Sequence, residues 1–153
     1  MSAPFDVAAL DELEAHIDRW LGQQLIDNPM IAAVDRDAPG TRRWFVRVRG
    51  EAKDVFTIRF HLQQRTLGYE TYVMPAPEEN HQRFYEHLLE RNLGLFGGAF
   101  AIGEEGAIFL RGALHNELVT VDDELDRVLG SLYAWVEQFF QPALRIGYAS
   151  KFP

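Results

Sequence analysis

Apolar residues recur along this chain with two different periods, and the switches between them divide it into nine segments. From 6 to 24, Leu10, Leu13, Ile17, Trp20 and Leu21 fall three or four apart while acids take the opposite side, which predicts an amphipathic helix. Asp6 is the candidate cap, or Asp11 for a later start. Pro29 ends the helix by residue 28. The period then drops to two. A short apolar run, "MIAAVDR", precedes a turn at Ala38-Pro39-Gly40. Next, Trp44, Val46 and Val48 alternate with Phe45, Arg47 and Arg49. After "EAKD", Phe56, Ile58, Phe60 and Leu62 alternate with Thr57, Arg59 and His61, and "LGYETYVM" adds a fourth strand. Such short connections imply an antiparallel meander.

Helical spacing returns in "PEENHQRFYEHLLERNLG", with Phe84, Tyr85, Leu88 and Leu89 as its apolar stripe. Pro77 suits the first turn, Glu78 and Glu79 the positive end, and Gly94 the C-terminal cap. Six glycines then fall within residues 93–112. Neither GxGxxG nor GxxxxGK[ST] occurs there, and no helix follows, so the stretch is read as bends and not as a phosphate cradle. "AFAIG" and "AIFLRGAL" read as strands joined by a hairpin at "EEG". The last helix runs through Leu125, Val128, Leu129, Leu132, Tyr133, Val136, Phe139 and Phe140. Thr120 to Asp123 resembles a capping box, and Pro142 is expected to stop the helix. The tail, 143–153, is expected to be loosely ordered, with Leu144 and Ile146 tucking in.

The predicted fold is α+β: one domain over 1–153, three helices and a largely antiparallel sheet made of a four-strand meander plus a hairpin. The order is α-β-β-β-β-α-β-β-α. Three apolar helical stripes need one face of that sheet. The other face, with Arg47, Arg49, Arg59 and His61, is left for water or a partner.

Composition narrows the chemistry. With 153 residues, 47% of them hydrophobic, the chain can bury a real core. Without cysteine there are no disulfides, thiolate nucleophiles or zinc fingers. The N-terminus lacks a basic region and an apolar run, and no stretch approaches ~18 apolar residues, so a cytoplasmic protein without membrane attachment is expected. The formal net charge of −8 argues against a nucleic-acid partner. The charge is uneven: residues 42–65 carry seven basic groups against two acids, a local +5 that leaves −13 on the rest.

No constellation of catalytic residues stands out. Glu78-x-x-His81 is one arm of a di-iron carboxylate pattern that needs a second arm and two more glutamates. HExxH is absent, and none of Ser2, Ser131 and Ser150 lies in GxSxG. No catalytic residue, metal or cofactor is therefore expected. The basic strip has two readings: a surface for an acidic peptide or phosphate group, or a solvated sheet face paired across strands with Glu70 or Glu51. The candidate partner surface is Phe45, Arg47, Arg49, Arg59, His61 and Tyr72. Some of Phe45, Tyr69, Tyr72, Phe96, Phe100 and Phe109 are expected to be exposed, since exposed aromatics mark interfaces.

Three longer stretches carry a resemblance: "RRWFVRVRGE" with "VFTIRFHLQQRTLGYETYVMPAP", then "FYEHLLERNLGLFGGAFAIGEEGAIFLRGAL", and the closing "DDELDRVLGSLYAWVEQFFQPAL". On these, the chain resembles the YbjN family, which shares the fold of type III secretion chaperones. The resemblance implies a small, soluble, non-enzymatic protein. Secretion chaperones of this fold are usually dimers that hold an extended client segment, and YbjN proteins are described as regulators of motility and stress responses. The expectation is thus a non-catalytic protein-binding module, chaperone-like or a regulatory adaptor, acting as a homodimer. The alternative is a small anionic-ligand-binding protein or cryptic enzyme using the basic sheet face. The family offers no catalytic residue to carry over. Asn92, in "LLERN", matches the family motif and is read as structural, capping backbone near the helix end.

Overall fold

The computed structural model describes residues 3–152. Its main elements are α1 (Val7–Asp27), β1 (Ile31–Arg36), β2 (Arg43–Arg49), β3 (Val55–Leu62), β4 (Thr66–Met74), α2 (His81–Asn92), β5 (Ala99–Ile102), β6 (Ile108–His115) and α3 (Glu124–Gly147). Asp6 caps α1, its carboxylate accepting from the Ala9 amide at 2.8 Å. All strand pairs are antiparallel, in the spatial order β1-β2-β3-β4-β6-β5. The hairpin thus docks with its second strand inward, and β5 becomes an edge.

Period-two alternation splits the sheet into two unlike faces. One carries Trp44, Val46, Val48, Phe56, Ile58, Phe60 and Leu110, all buried. All three helices lie on it. The Trp20 ring of α1 meets Phe60 edge-on at 5.9 Å, and Trp44 donates its indole N–H to Asp18 at 2.8 Å. Tyr133 and Phe139 of α3 reach Phe56 and Phe100 at 6.3 and 6.0 Å. α2 packs on α3 and beside β5. The glycine-rich stretch forms the β5–β6 hairpin, turned by a short 3-10 segment at Glu104–Gly106. Gly112 lies under the Tyr69 ring, where an added Cβ would come within 2.6 Å of it. The Tyr69 hydroxyl donates to the Gly97 carbonyl at 2.5 Å.

Five expectations need correction. Pro142 does not stop α3, which runs on to Gly147. Pro142 is exposed, so the Gln138 carbonyl that loses its helical donor faces the solvent side and water can satisfy it. Tertiary contacts hold the turn beyond. Ala143 and Gly147 are buried, the Glu78 and Glu79 amides donate to the Gly147 carbonyl at 3.0 and 3.1 Å, and the Asn80 side chain donates to the Ile146 carbonyl at 2.9 Å. The segment after Pro142 is therefore helical and packed, with Leu144, Ile146 and Tyr148 against the core. That same bonding moves the start of α2: Pro77, Glu78 and Glu79 precede the helix, and Asn80 takes its N-cap position. Thr120 to Asp123 form no capping box. These residues are spent in turns, and α3 begins at Glu124 behind a left-handed Asp123 with no side-chain cap. Finally, Leu89 leaves the α2 stripe and is exposed, while Phe84 and Leu88 are buried.

Candidate functional site

The helix-free face of the sheet gathers all six residues of the predicted partner surface. Their order follows from register. Asp35, Phe45, Arg59, Glu70, Arg111 and Ala99 are successive cross-strand neighbours, one from each strand, forming a single row across the sheet. Arg47 and Thr57 pair in the neighbouring row, as do Tyr72 and Phe109. His61 pairs with Arg43 on one side and Gly68 on the other.

The electrostatics of this face are lopsided. Glu70 lies between two guanidinium groups, 3.6 Å from Arg59 and 3.8 Å from Arg111. At those distances the attraction is Coulombic without a hydrogen bond, so most of the N–H donors stay available. Arg47 is exposed and has no ion-pair partner among the described residues. Arg49 donates to the Pro29 carbonyl at 3.0 Å, and Arg43 lies 3.5 Å from Asp37. Glu51, a predicted partner of the strip, instead donates its amide to the Glu137 carboxylate at 3.0 Å. His61 has its pKa lowered, first by burial and then by the positive charges of Arg43 and Arg59, so it is neutral at pH 7.

Apolar contact area lies between the charges. Tyr72 is 43% exposed and stands edge-on to Phe109, with centroids 5.8 Å apart. Its hydroxyl pKa is raised by burial and then by Tyr148. Phe45 is half-buried in the same layer. Of the other aromatics, Tyr69 and Phe100 are buried on the helical side, and Phe96 is exposed. Away from this face, Glu78 lies 3.5 Å from Lys151, and His81 stands against Tyr85 at 6.5 Å. No group of three or more metal-ligating side chains occurs among the described residues.

A model of the family described as "Putative bacterial sensory transduction regulator", YbjN, matches residues 10–144. The chain belongs to the YbjN family. It is similar to "Uncharacterized protein ML2442" of Mycobacterium leprae (strain TN), with 34% identity over 112 residues covering 72% of this chain and 60% of the relative. "Uncharacterized protein Rv0487" of Mycobacterium tuberculosis (strain ATCC 25618 / H37Rv) is 34% identical over 106 residues, covering 69% of this chain and 57% of the relative. This chain thus matches less than two thirds of the length of either relative. No helix among the described residues is long and apolar enough to cross a membrane.

Arg111 of the open face escaped the sequence reading, and Phe109, one of the aromatics weighed there for exposure, was not placed on the partner surface. Their alternation with Ile108 and Leu110 was readable in "IFLRG" and puts them on the polar side of a strand. What the sequence does not show is that β6 lies beside β4, which brings Arg111 to Glu70. Asn92 is structural as its motif implies, but its partner is the edge strand. The Phe100 amide donates to its side-chain oxygen at 2.7 Å, and its amide nitrogen donates to the Phe100 carbonyl at 3.3 Å. It thereby occupies backbone groups that an edge strand would otherwise offer to another chain.

Proposed function

We propose that this YbjN protein is a non-catalytic regulatory adaptor, acting as a homodimer, that holds an extended acidic segment of a partner protein across its open sheet face. The observation that carries the reading is the concentration of Arg47, Arg49, Arg59 and Arg111 on one helix-free face, in a chain whose net charge is −8. Arg47, Arg59 and Arg111 keep most of their donors available, Arg49 gives one to the Pro29 carbonyl, and Phe45, Tyr72 and Phe109 offer apolar area beside them. Six strands at ~4.8 Å spacing make a face about 24 Å across, the length of roughly seven extended residues. Glu70, held weakly between Arg59 and Arg111, occupies the place a partner carboxylate would take. The description of the family as a regulator agrees with an adaptor role.

The dimer reading rests on a second surface. Leu89, Leu93, Phe96 and Ile102 are 66, 90, 83 and 62% exposed, and all belong to the continuous α2–β5 segment at one sheet edge. Clustered exposed apolar side chains mark protein interfaces. With Asn92 on the β5 backbone, the contact would be made by side chains and not by strand addition.

The test is fluorescence anisotropy with a labelled Glu/Tyr-rich peptide, its Lys/Tyr counterpart and inorganic phosphate as competitor. The acidic peptide should bind and weaken with salt, the basic one should not bind, and Arg47→Glu with Arg59→Glu should cost at least about tenfold. Glu70→Gln should tighten binding. An acidic peptide that ignores the double charge reversal would sink the reading. His61 beside Arg43 and Arg59 favours a second reading, a small anionic ligand. That reading predicts displacement of the peptide by phosphate and thermal stabilisation by phosphate that Arg59→Ala removes.

A further inference from the structure

The helices do not close completely over their own face of the sheet. Between the C-terminal half of α1 and the N-terminal half of α3 lies a cleft of about 300 Å³, floored by Ile31, Val48 and Leu129 and rimmed by Gln24 and Asp126. Its size suits a small ligand, and it lies on the side of the sheet opposite the cationic face.

Three independent features of this cleft favour a cation with an apolar tail. Asp126 is the first. One oxygen of its carboxylate accepts two neutral donors, the Trp20 indole N–H at 2.8 Å and the Gln24 amide at 3.1 Å. It has no cationic partner among the described residues. By contrast Asp11, Glu14, Asp18 and Glu124 each face an arginine. The second feature is the end of α1. Its last turn carries no basic side chain, and the nearest cation beyond it, Arg49, is engaged by the Pro29 carbonyl at 3.0 Å, so the carbonyl end of the helix beside Gln24 and Asn28 adds negative potential to the cleft. The third is Gly130, which lines the cleft from within α3. A Cβ added there would meet nothing within 4 Å. Glycine inside a helix is destabilising relative to alanine, and no neighbour in the chain uses the space it leaves.

We propose that the α1–α3 cleft binds a small primary amine with a short apolar tail. The ammonium group pairs with Asp126 at the end of α1, and the tail lies on Ile31, Val48 and Leu129 with close approach to the α3 backbone at Gly130. The carboxylate selects charge, and the floor contributes apolar burial.

The experiment is an amide-detected NMR titration of the full chain with n-hexylamine, n-hexanol and hexanoate to millimolar concentration. The Trp20 indole N–H reports directly, because it donates to Asp126, and the Gly130 amide reports on the tail. Hexylamine should shift both signals saturably, hexanol at least about tenfold more weakly, and hexanoate not at all. Asp126→Asn keeps an acceptor for Trp20 and Gln24 and should weaken hexylamine to the level of hexanol. Gly130→Leu should abolish binding of both while leaving the melting temperature unchanged or higher. Hexylamine that leaves the Trp20 and Gly130 signals unmoved, hexanol binding as tightly as hexylamine, or unchanged hexylamine binding in Asp126→Asn would each overturn the proposal.

Discussion

Lys53 reaches from the β2–β3 connection to the β4 backbone, where its ammonium donates to the carbonyls of Tyr72 at 3.2 Å and Val73 at 2.5 Å. It also lies 4.8 and 5.1 Å from the ring centroids of Tyr72 and Phe140. The register of β4 against β6 shifts between Tyr72 and Met74, so one lysine secures an irregular stretch of strand. Burial lowers its pKa to about 8 from 10.5. Between those values the unfolded chain holds a proton that the folded protein has released. Stability therefore rises with pH across that window and falls as pH drops through 8. Urea unfolding of wild type and Lys53→Met at about pH 7 and about pH 10 should show the difference moving in favour of wild type at the higher pH. A constant difference would mean that the lysine keeps its ordinary pKa. Nothing in "GEAKDV" distinguishes this lysine from a solvated turn residue, because its partners are strand carbonyls about twenty residues away.

Among the elements, α3 departs most from its sequence pattern. Its stripe from Leu125 to Phe140 was legible because helical spacing is a local property. Its passage through Pro142 was not, because the energy that sustains it comes from Glu78, Glu79 and Asn80, more than sixty residues away. Proline inside a helix is unfavourable by about 3 kcal/mol relative to alanine, partly offset by the stiffer unfolded chain. Pro142→Ala should therefore raise the unfolding free energy by about 1–2 kcal/mol. Gly130→Ala, with open space around its Cβ, should add about 0.5–1 kcal/mol. Urea midpoints at unchanged slope are the measurement. A lower midpoint for Pro142→Ala would show that the proline sets a bend the packing requires.

On the scale of the whole molecule, the helices leave one face of the sheet uncovered and an apolar strip exposed at its β5 edge. The two surfaces differ in chemistry, so their interactions should be separable. Leu93→Glu with Phe96→Glu should convert a dimer to a monomer in light scattering at micromolar concentration, while binding of an acidic peptide survives in the monomer. A wild-type protein that is already monomeric would remove the dimer from the proposed function. The charge reversals on Arg47 and Arg59 should have the opposite profile, with peptide binding lost and mass unchanged.

The sequence by itself determined the elements, their order and the two-faced character of the sheet. Each of these follows from side-chain periodicity within a few neighbouring residues: Trp44, Val46 and Val48 had to share a side, and Phe45, Arg47 and Arg49 the other. Only the tertiary structure decided that β6 lies between β4 and β5, carrying Arg111 to Glu70, and that α3 continues past Pro142. It also decided that α1 and α3 stay far enough apart to leave a cleft beside Asp126. Those outcomes depend on which distant segments meet, and a local pattern of apolar and polar positions is compatible with more than one such meeting.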